Sequence, residues 1–516
     1  MSYGTPKGRP ILTQLPLLLL TIAGTACLLT KVATLMFGCH PLDSPDVLQG
    51  ASRPLTPRAT HRNLKSRHIQ LIGIGGTNGT TLFVQIGQGL RNGGPGSLFI
   101  AFSIWCTVIL AFTVSVAEMV SYMPISSPFI RFACRYVDEA FGFAAGWNFF
   151  IFEAALVPFE VVALPVGAII AIIIVLNAVL NLQAVQWYGE AGFWSALGKF
   201  FFIVGLIIFT FIVMLGGNPQ GDHFGFRYWN EPGAFAELYY QGILGKFLGF
   251  LQCLIQASLT IAGPDYVSMA AGEAQNSRVT MPRAFNTVFY RLTTIFVLGS
   301  LCVGILVPYS DSELTAALGS GEAGVAASPY VVAMNRLGVG VVPHIVNALV
   351  LTAAFSAGNS HVYCASRSLY GLALEGKAPQ CFTRCTKKGV PIFCVALVLL
   401  IALISFLQLS SSTAVVLDWL GSLVAASQLI NFSCMCVTCL CFYRVFKAQG
   451  MSRNTLPYKS ILQPHAAWYG LVGTFVMTCV GYTMVAVCPF LYVGWKLAHK
   501  TRIMKSSEVD LRQGLD

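Results

Sequence analysis

The sequence predicts an all-α polytopic membrane protein of two inverted five-helix repeats, with broken first and sixth core helices and a shortened carboxy-terminal helix region. Three observations predict it. Of the 516 residues, 55% are hydrophobic and 10% charged, against about 25% charged in soluble domains, and apolar runs long enough for a ~30 Å hydrocarbon core recur along the chain. Basic residues gather in alternate loops. Two glycine-rich stretches interrupt membrane-length runs: Gly73-Ile74-Gly75-Gly76-Thr77-Asn78-Gly79-Thr80-Thr81 and Thr260-Ile261-Ala262-Gly263-Pro264-Asp265. Unwound backbone at mid-bilayer is tolerable only where it lines a cavity or binds something. Two such breaks at corresponding positions of two halves point to the binding site of a transporter.

Hydropathy places spans near 69–90, 97–121, 147–163, 165–187, 192–215, 243–271, 289–308, 341–372, 391–409 and 413–443. Arg53, Arg58, Arg62, Lys65 and Arg67 precede the first, and Arg131 and Arg135 follow the second. Arg278, Arg283 and Arg291 follow the sixth, Lys377, Arg384, Lys387 and Lys388 the eighth, and Arg444, Lys447, Arg453 and Lys459 the tenth. The intervening long loops carry Asp222, Glu231 and Glu237, then Asp311, Glu313 and Glu322. This alternation puts the basic loops in the cytoplasm. It also accounts for the formal charge of +11 without nucleic acid. Ten spans divide into two fives, each opening with an interrupted helix, which suggests the inverted repeat.

Residues 1–63 read as an amino-terminal extension, 64–498 as the transmembrane domain and 499–516 as a cytoplasmic tail. Three places resist this scheme. The apolar run Ile11 to Thr30 fits a signal peptide, an added anchor or an erroneous gene start. Residues 147–187 must hold two spans, which need about 40 residues, so the turn at Ala163-Leu164-Pro165 is unusually tight. Residues 466–498, between basic segments that both read as inside, are either a short re-entrant hairpin or a helix pair of which part is missing.

The sixteen cysteines do not form a metal framework. Cys434, Cys436, Cys439 and Cys441 scatter round one helix with no histidine near, and read as packing residues. Cys381 and Cys385 in a basic loop are equally unconvincing as ligands. No metal or cofactor is expected.

Ionisable residues inside the membrane are expensive and mark function by default. Glu153 and Glu160 lie two helical turns apart on one face of the third span. The competing reading is a pair of buried neutral carboxyls. Asp265 and Glu118 are further acids, the latter expected at the interface beside Ser121-Tyr122, and Glu273 is expected to make a structural contact at the cytoplasmic end.

Several strings resemble the fungal amino-acid permeases of the amino acid–polyamine–organocation superfamily. Arg67-His68-Ile69-Gln70 leads into Gly75-Gly76-Thr77-Asn78-Gly79-Thr80-Thr81-Leu82-Phe83, followed by Asn92-Gly93-Gly94-Pro95-Gly96 and Glu118-Met119. Gly225-Phe226-Arg227-Tyr228-Trp229, Ala271-Gly272-Glu273-Ala274 and Phe355-Ser356-Ala357-Gly358-Asn359-Ser360 come next. Ser366-Arg367-Ser368-Leu369-Tyr370-Gly371-Leu372-Ala373 and Leu456-Pro457-Tyr458-Lys459 complete a series in the right order over residues 64 to 512. Phe152-Glu153-Ala154, Pro158-Phe159-Glu160 and Ala262-Gly263-Pro264-Asp265-Tyr266 look most like a filamentous-fungal branch, related to permeases linked with polyamine and carnitine uptake.

The resemblance implies two inverted five-helix repeats with two further helices, and proton-coupled import of an amino acid at the plasma membrane. It also implies a polar amino-terminal tail and additional residues around Leu164 and near Val480-Gly481, which this chain lacks. An amino-acid substrate offers a carboxylate and an ammonium. Backbone N–H groups of Gly79, Thr80 and Thr81 would suit the carboxylate, helped by the positive end of the following half-helix. Carbonyls from Ile261 through Ala262 to Gly263 would suit the ammonium. The competing reading is that the glycines only allow close helix packing. Glu160 matches a glutamate that the family places near the substrate. Set against that single glutamate, the extra acid Glu153 implies a cationic substrate: a basic amino acid, a polyamine or a carnitine-like compound. Lys199 matches a lysine that proton-coupled relatives put where sodium-coupled ones bind the ion, and a buried ammonium can exchange its proton. Glu153 and Asp265 are the further proton-coupling candidates. Relatives carry glycine at Thr81 and an aliphatic residue at Asn78. A β-branched residue resists the strained dihedrals that glycine accepts, so the pocket is expected to be altered there.

Three functional classes follow. The first is a secondary transporter of an amino acid or related cation. The second is a non-transporting sensor on the same fold, which the short polar tail after Lys496 disfavours. The third is an inactive copy. A membrane enzyme is not expected, because no nucleophile–base pair stands out.

Overall fold

The computed structural model describes residues 64–77, 79, 81–162, 167–183, 185–261, 264–319, 328–409 and 413–481. Regular structure among them is all helical, with one isolated backbone bridge between Leu64 and Ala274. Seven stretches among these residues are long and apolar enough to cross a membrane: Thr81–Tyr122, Glu139–Val161, Val185–Met214, Ile243–Glu273, Ser277–Leu306, Val342–Leu374 and Trp419–Ala448. Gly167–Leu182 and Ile392–Leu407 are apolar but shorter. The chain is a multi-pass helical membrane protein.

Both expected breaks are present. Helix α1, Ser66–Thr77, stops before Gly79, and the chain resumes as a wide turn, Thr81–Gln85, running into α2, Ile86–Tyr122. The turn expected at Asn92–Gly96 is compressed to one non-helical residue inside α2, Gly94, with φ +79° and ψ 171°. Only glycine fits, because the Cβ of any other residue would crowd the Ala234 carbonyl at 2.8 Å in a backbone region that L-residues avoid. The exposed amides there are not idle: Gly96 N–H donates to Ala234 O at 2.7 Å, and Ala236 N–H to Gly93 O at 3.0 Å. The loop before the sixth span thus docks on the kink.

A short helix, α3 (Pro128–Tyr136), leads into α4, Glu139–Val162. The expected shortage between residues 147 and 187 falls unevenly. Helix α4 recruits residues 139–146 and reaches 24 residues, whereas α5, Gly167–Leu182, has 16. At 1.5 Å per residue that is about 24 Å, short of a ~30 Å core. The tight turn at Ala163-Leu164-Pro165 lies outside the described residues.

Helix α6 is Val185–Met214. Helix α7, Ile243–Thr260, ends at Ile261, whose backbone is extended (φ −95°, ψ 103°), and α8 restarts at Pro264–Met269. Then come α9 (Ser277–Arg291) and α10 (Leu298–Leu306), joined by the wide turn Leu292–Val297. Two short helices, α11 (Ser312–Gly319) and α12 (Pro329–Arg336), precede α13, Val342–Leu374. The last three are α14 (Ile392–Ala402), α15 (Thr413–Ala448) and α16 (His465–Gly481). The expected extension 1–63, the apolar run 11–30 within it, and residues 482–516 all lie outside the described residues.

Helix α4 is enclosed by α13 and α15, α2 packs on α7, and α1 on α6. Lipid tails are as apolar as leucine, so such contacts rest on close packing by small residues rather than on water exclusion. A Cβ on Gly93 would collide with Cys253 Sγ and the Gly249 carbonyl, which shows how near the α2 and α7 backbones run. The described cysteines are free thiols, most of them buried.

Candidate substrate site at the helix breaks

Glu153 and Glu160 are both fully enclosed in α4, with 0% and 3% of their surface exposed. Glu160 turns towards the first break. A Cβ built on Gly79 would overlap the Glu160 carboxylate, so the carboxylate occupies the space that glycine leaves open. Lys199 of α6 is buried and lies within electrostatic reach of Glu160. Thr81 is buried at the start of the wide turn. Its backbone is not left-handed: among described non-glycine residues only Ser127, Tyr239 and Asn276 have positive φ. A helical φ is open to a β-branched residue. Thr80, Asn78, Ala262 and Gly263 lie outside the described residues.

At the second break, the Ile261 carbonyl accepts a hydrogen bond from Gln428 Nε2 at 3.4 Å. Asp265, in the first turn of α8 and fully buried, accepts from Asn431 Nδ2 at 3.2 Å. Both partners sit on α15, so that helix holds the two sides of the break. Asn148 of α4 donates to the Ser427 carbonyl at 2.8 Å, tying α15 to the acid-bearing helix at the same place.

Glu153 faces a residue that sequence reading missed. His361 on α13 brings Nδ1 to 3.1 Å from Glu153 Oε2, and Tyr266 OH lies 3.3 Å from the same nitrogen. All three are buried. A histidine inside an apolar span is an intramembrane ionisable group, and that signal would have found it. Arg291, grouped above with the cations that follow the sixth span, lies inside the expected span 289–308. It closes α9 inside the membrane-length stretch Ser277–Leu306, with 7% of its surface exposed, and its charge bears on Asp265.

Two other acids are structural. Glu118 is not at an open interface but 2% exposed beneath the 453–460 loop, accepting from Arg453 and from Ser460 N–H at 2.7 Å. Glu273 accepts from Tyr363 OH at 2.6 Å and Arg367 Nε at 3.3 Å, and Tyr188 stacks on Tyr363 with ring centres 4.2 Å apart. Nearby, Leu64 N–H donates to Glu273 O at 2.9 Å, while Arg67 and His68 pair with Glu190. These contacts tie the start of α1 to the end of the sixth span, to α6 and to α13.

A multi-pass helical bundle with buried ionisable side chains at two interrupted helices has the architecture of a membrane carrier. This chain belongs to the amino acid permease family: the family profile described as "Amino acid permease" matches residues 68–496. It is similar to the "General amino acid permease AGP2" of Saccharomyces cerevisiae, 48% identical over 442 residues that cover 82% of this chain and 74% of that protein. A "Proline-specific permease" of Emericella nidulans is 37% identical over 92% of this chain and 91% of its own length. A "Lysine-specific permease" of Saccharomyces cerevisiae is 34% identical over 87% and 78%.

Proposed function

We propose that this permease imports an amino acid or a related organic cation together with protons, across the plasma membrane and with its basic loops in the cytoplasm. The observation that carries the reading is the contact of Glu160 with Gly79 at the first break, with Lys199 in reach of the same carboxylate. In this reading the amides of Gly79, Thr80 and Thr81 take the substrate carboxylate, and Glu160 with the carbonyls from Ile261 through Ala262 to Gly263 takes the ammonium. Lys199 exchanges a proton with Glu160 as the site empties and refills, because a desolvated ammonium next to a carboxylate can give up its proton. Glu153 and Asp265 add negative charge to the site, which supports a cationic substrate. The two breaks belong to two inverted five-helix repeats, with an amino-terminal extension carrying an apolar segment before residue 64 and a cytoplasmic tail after residue 498.

The names of the relatives cover general, proline and lysine permeases, so the family admits both zwitterionic and cationic cargo. The deciding experiment is uptake of radiolabelled arginine, proline and spermidine in a transport-deficient yeast, with surface expression measured alongside. Wild type should accumulate at least one of them, faster at acid external pH. Glu160→Gln and Lys199→Ala should each collapse that uptake at equal surface level. Wild type at the surface that carries none of the three would sink the reading.

A further inference from the structure

Each buried acid of the site has a basic counterpart on another helix. Glu160 of α4 is within reach of Lys199 on α6, Asp265 of α8 within reach of Arg291 on α9, and Glu153 of α4 touches His361 on α13. Arginine stays a cation at working pH and Lys199 shares its proton with Glu160 in the reading above, whereas the partner of Glu153 is an imidazole, which is uncharged whenever it holds a single proton. Glu153 is therefore the acid that a neutral partner leaves uncompensated. Charges buried away from water must be balanced or neutralised. With His361 neutral, Glu153 must hold either a proton or some other cation.

The hydrogen-bond geometry makes the choice discrete. His361 Nδ1 faces two oxygens, Glu153 Oε2 at 3.1 Å and Tyr266 OH at 3.3 Å. A ring nitrogen has either one proton to give or one lone pair to receive. If Nδ1 carries a proton, it donates to the Glu153 carboxylate and the pair is closed. If it does not, it accepts from the Tyr266 hydroxyl, and Glu153 is left to another partner. The second carboxyl oxygen, Glu153 Oε1, is buried with no hydrogen-bond partner among the described residues. The rings of Tyr266 and His361 meet edge to face at 5.6 Å beside it. Asp265, Glu160, Lys199 and Cys364 are the other titratable groups whose charge bears on this cluster.

We propose that Glu153, Tyr266 and His361 form a subsite that takes the positively charged group of an organic cation in exchange for one proton, with His361 as the positioning residue that sets whether Glu153 is free to receive it. With Nδ1 accepting from Tyr266, the Glu153 carboxyl holds a proton, and binding displaces it as the cation neutralises the carboxylate. No bond other than the carboxyl O–H breaks, and the proton leaves to solvent. The location of the subsite rests on the carrier reading above, but its test does not require transport.

The test is ligand-induced thermal stabilisation of the purified full-length protein in lipid nanodiscs, with arginine, spermidine and zwitterionic proline between pH 5 and 8. Exchange of one proton per cation requires half-saturation by arginine or spermidine to fall about tenfold per pH unit below the midpoint, with proline showing no such slope. Glu153→Gln should abolish stabilisation by the cations together with its pH slope, and weaken any proline response far less. His361→Gln should still bind cations but shift the midpoint by at least one pH unit. Tyr266→Phe, which keeps the ring, should move the midpoint too, and it stands in if His361→Gln does not fold. An unchanged midpoint in His361→Gln or Tyr266→Phe, equal loss of proline and cations in Glu153→Gln, or wild type indifferent to both cations would each overturn the proposal. Cation binding with the stated slope but no uptake in yeast would keep this inference and remove the transport reading; proline uptake without cation binding would do the opposite.

Discussion

The Glu160 carboxylate lies in the space that a side chain at Gly79 would need. Two residues 81 positions apart in sequence are thus fitted to each other at the first helix break, one by having no side chain and the other by filling the gap. The acid is delivered by the rigid helix α4, while the backbone it faces is irregular. That combination suits a site in which a fixed charge meets adaptable backbone amides.

Gly79→Ala should therefore be more damaging than its single methyl group suggests. The new Cβ cannot coexist with the present position of the carboxylate, and the buried Glu160 has no solvent to retreat into. We expect at least a tenfold loss of uptake at unchanged surface level. Gly198→Ala is the control: a Cβ there meets nothing within 4 Å, and uptake should stay near wild type. Equal uptake by both variants, measured with the same labelled substrate, would remove Glu160–Gly79 from the site.

Lys199→Ala should separate coupling from binding. Without the ammonium, uptake at external pH 5 should fall at least tenfold and lose its sensitivity to a protonophore, while substrate still protects the purified protein against heat. The paired measurement is initial uptake rate against external pH, with and without the protonophore. A Lys199→Ala variant that keeps the wild-type pH profile would mean that the proton travels elsewhere.

The Glu273 cluster should behave as a structural clasp. Tyr363→Phe removes the 2.6 Å bond to Glu273 and should cost about 1–2 kcal/mol. Arg367→Ala leaves a buried carboxylate without its cation and should cost roughly 3–5 kcal/mol, enough to keep much of the protein inside the cell. Thermal melting of detergent-purified variants gives the ranking; a Tyr363→Phe variant less stable than Arg367→Ala would contradict it.

One ion pair outside the spans has a definite pH signature. Arg227 donates to both carboxylate oxygens of Asp222, at 2.9 Å and 2.7 Å, and this holds the Asp222 carboxyl below its ordinary range. A carboxyl whose folded pKa is depressed contributes stability above its unfolded pKa of about 3.9, and loses that contribution as pH falls through the lower folded value. The pair is exposed, so the effect is small. Melting temperature should drop between pH 4 and 3 in wild type and less steeply in Asp222→Asn. Parallel curves would show that the pair does not couple to stability.

The helical architecture, the multi-pass membrane character and the family were legible in the sequence because each is written locally. Apolar runs of membrane length demand helices, since nothing else pairs the backbone in lipid. The strings around Gly75–Phe83 and Ser366–Ala373 identify the family by their own order. The two interruptions could also be read from glycine and proline alone, and the structure has them at Gly79 and at Ile261. The shortage in residues 147–187 was visible as arithmetic, but which helix would absorb it was not. Residues 139–146 join α4 through packing under α13 and α15, and α5 is left short.

What only the tertiary structure decided is pairing. Sequence shows that Glu153, His361 and Arg291 exist, but the meeting of α4 with α13, and the reach of α9 to Asp265, depend on helices more than a hundred residues apart or joined through a break. Arg291 groups by charge with the basic residues after the sixth span although it falls inside the expected span 289–308; its burial near Asp265 keeps it there, since a compensated charge can stay inside where a lone one cannot. His361 is legible in the sequence as an ionisable group inside a span, but its partner is not. Its meaning comes from the carboxylate 3.1 Å away, and neither local composition nor period carries that distance.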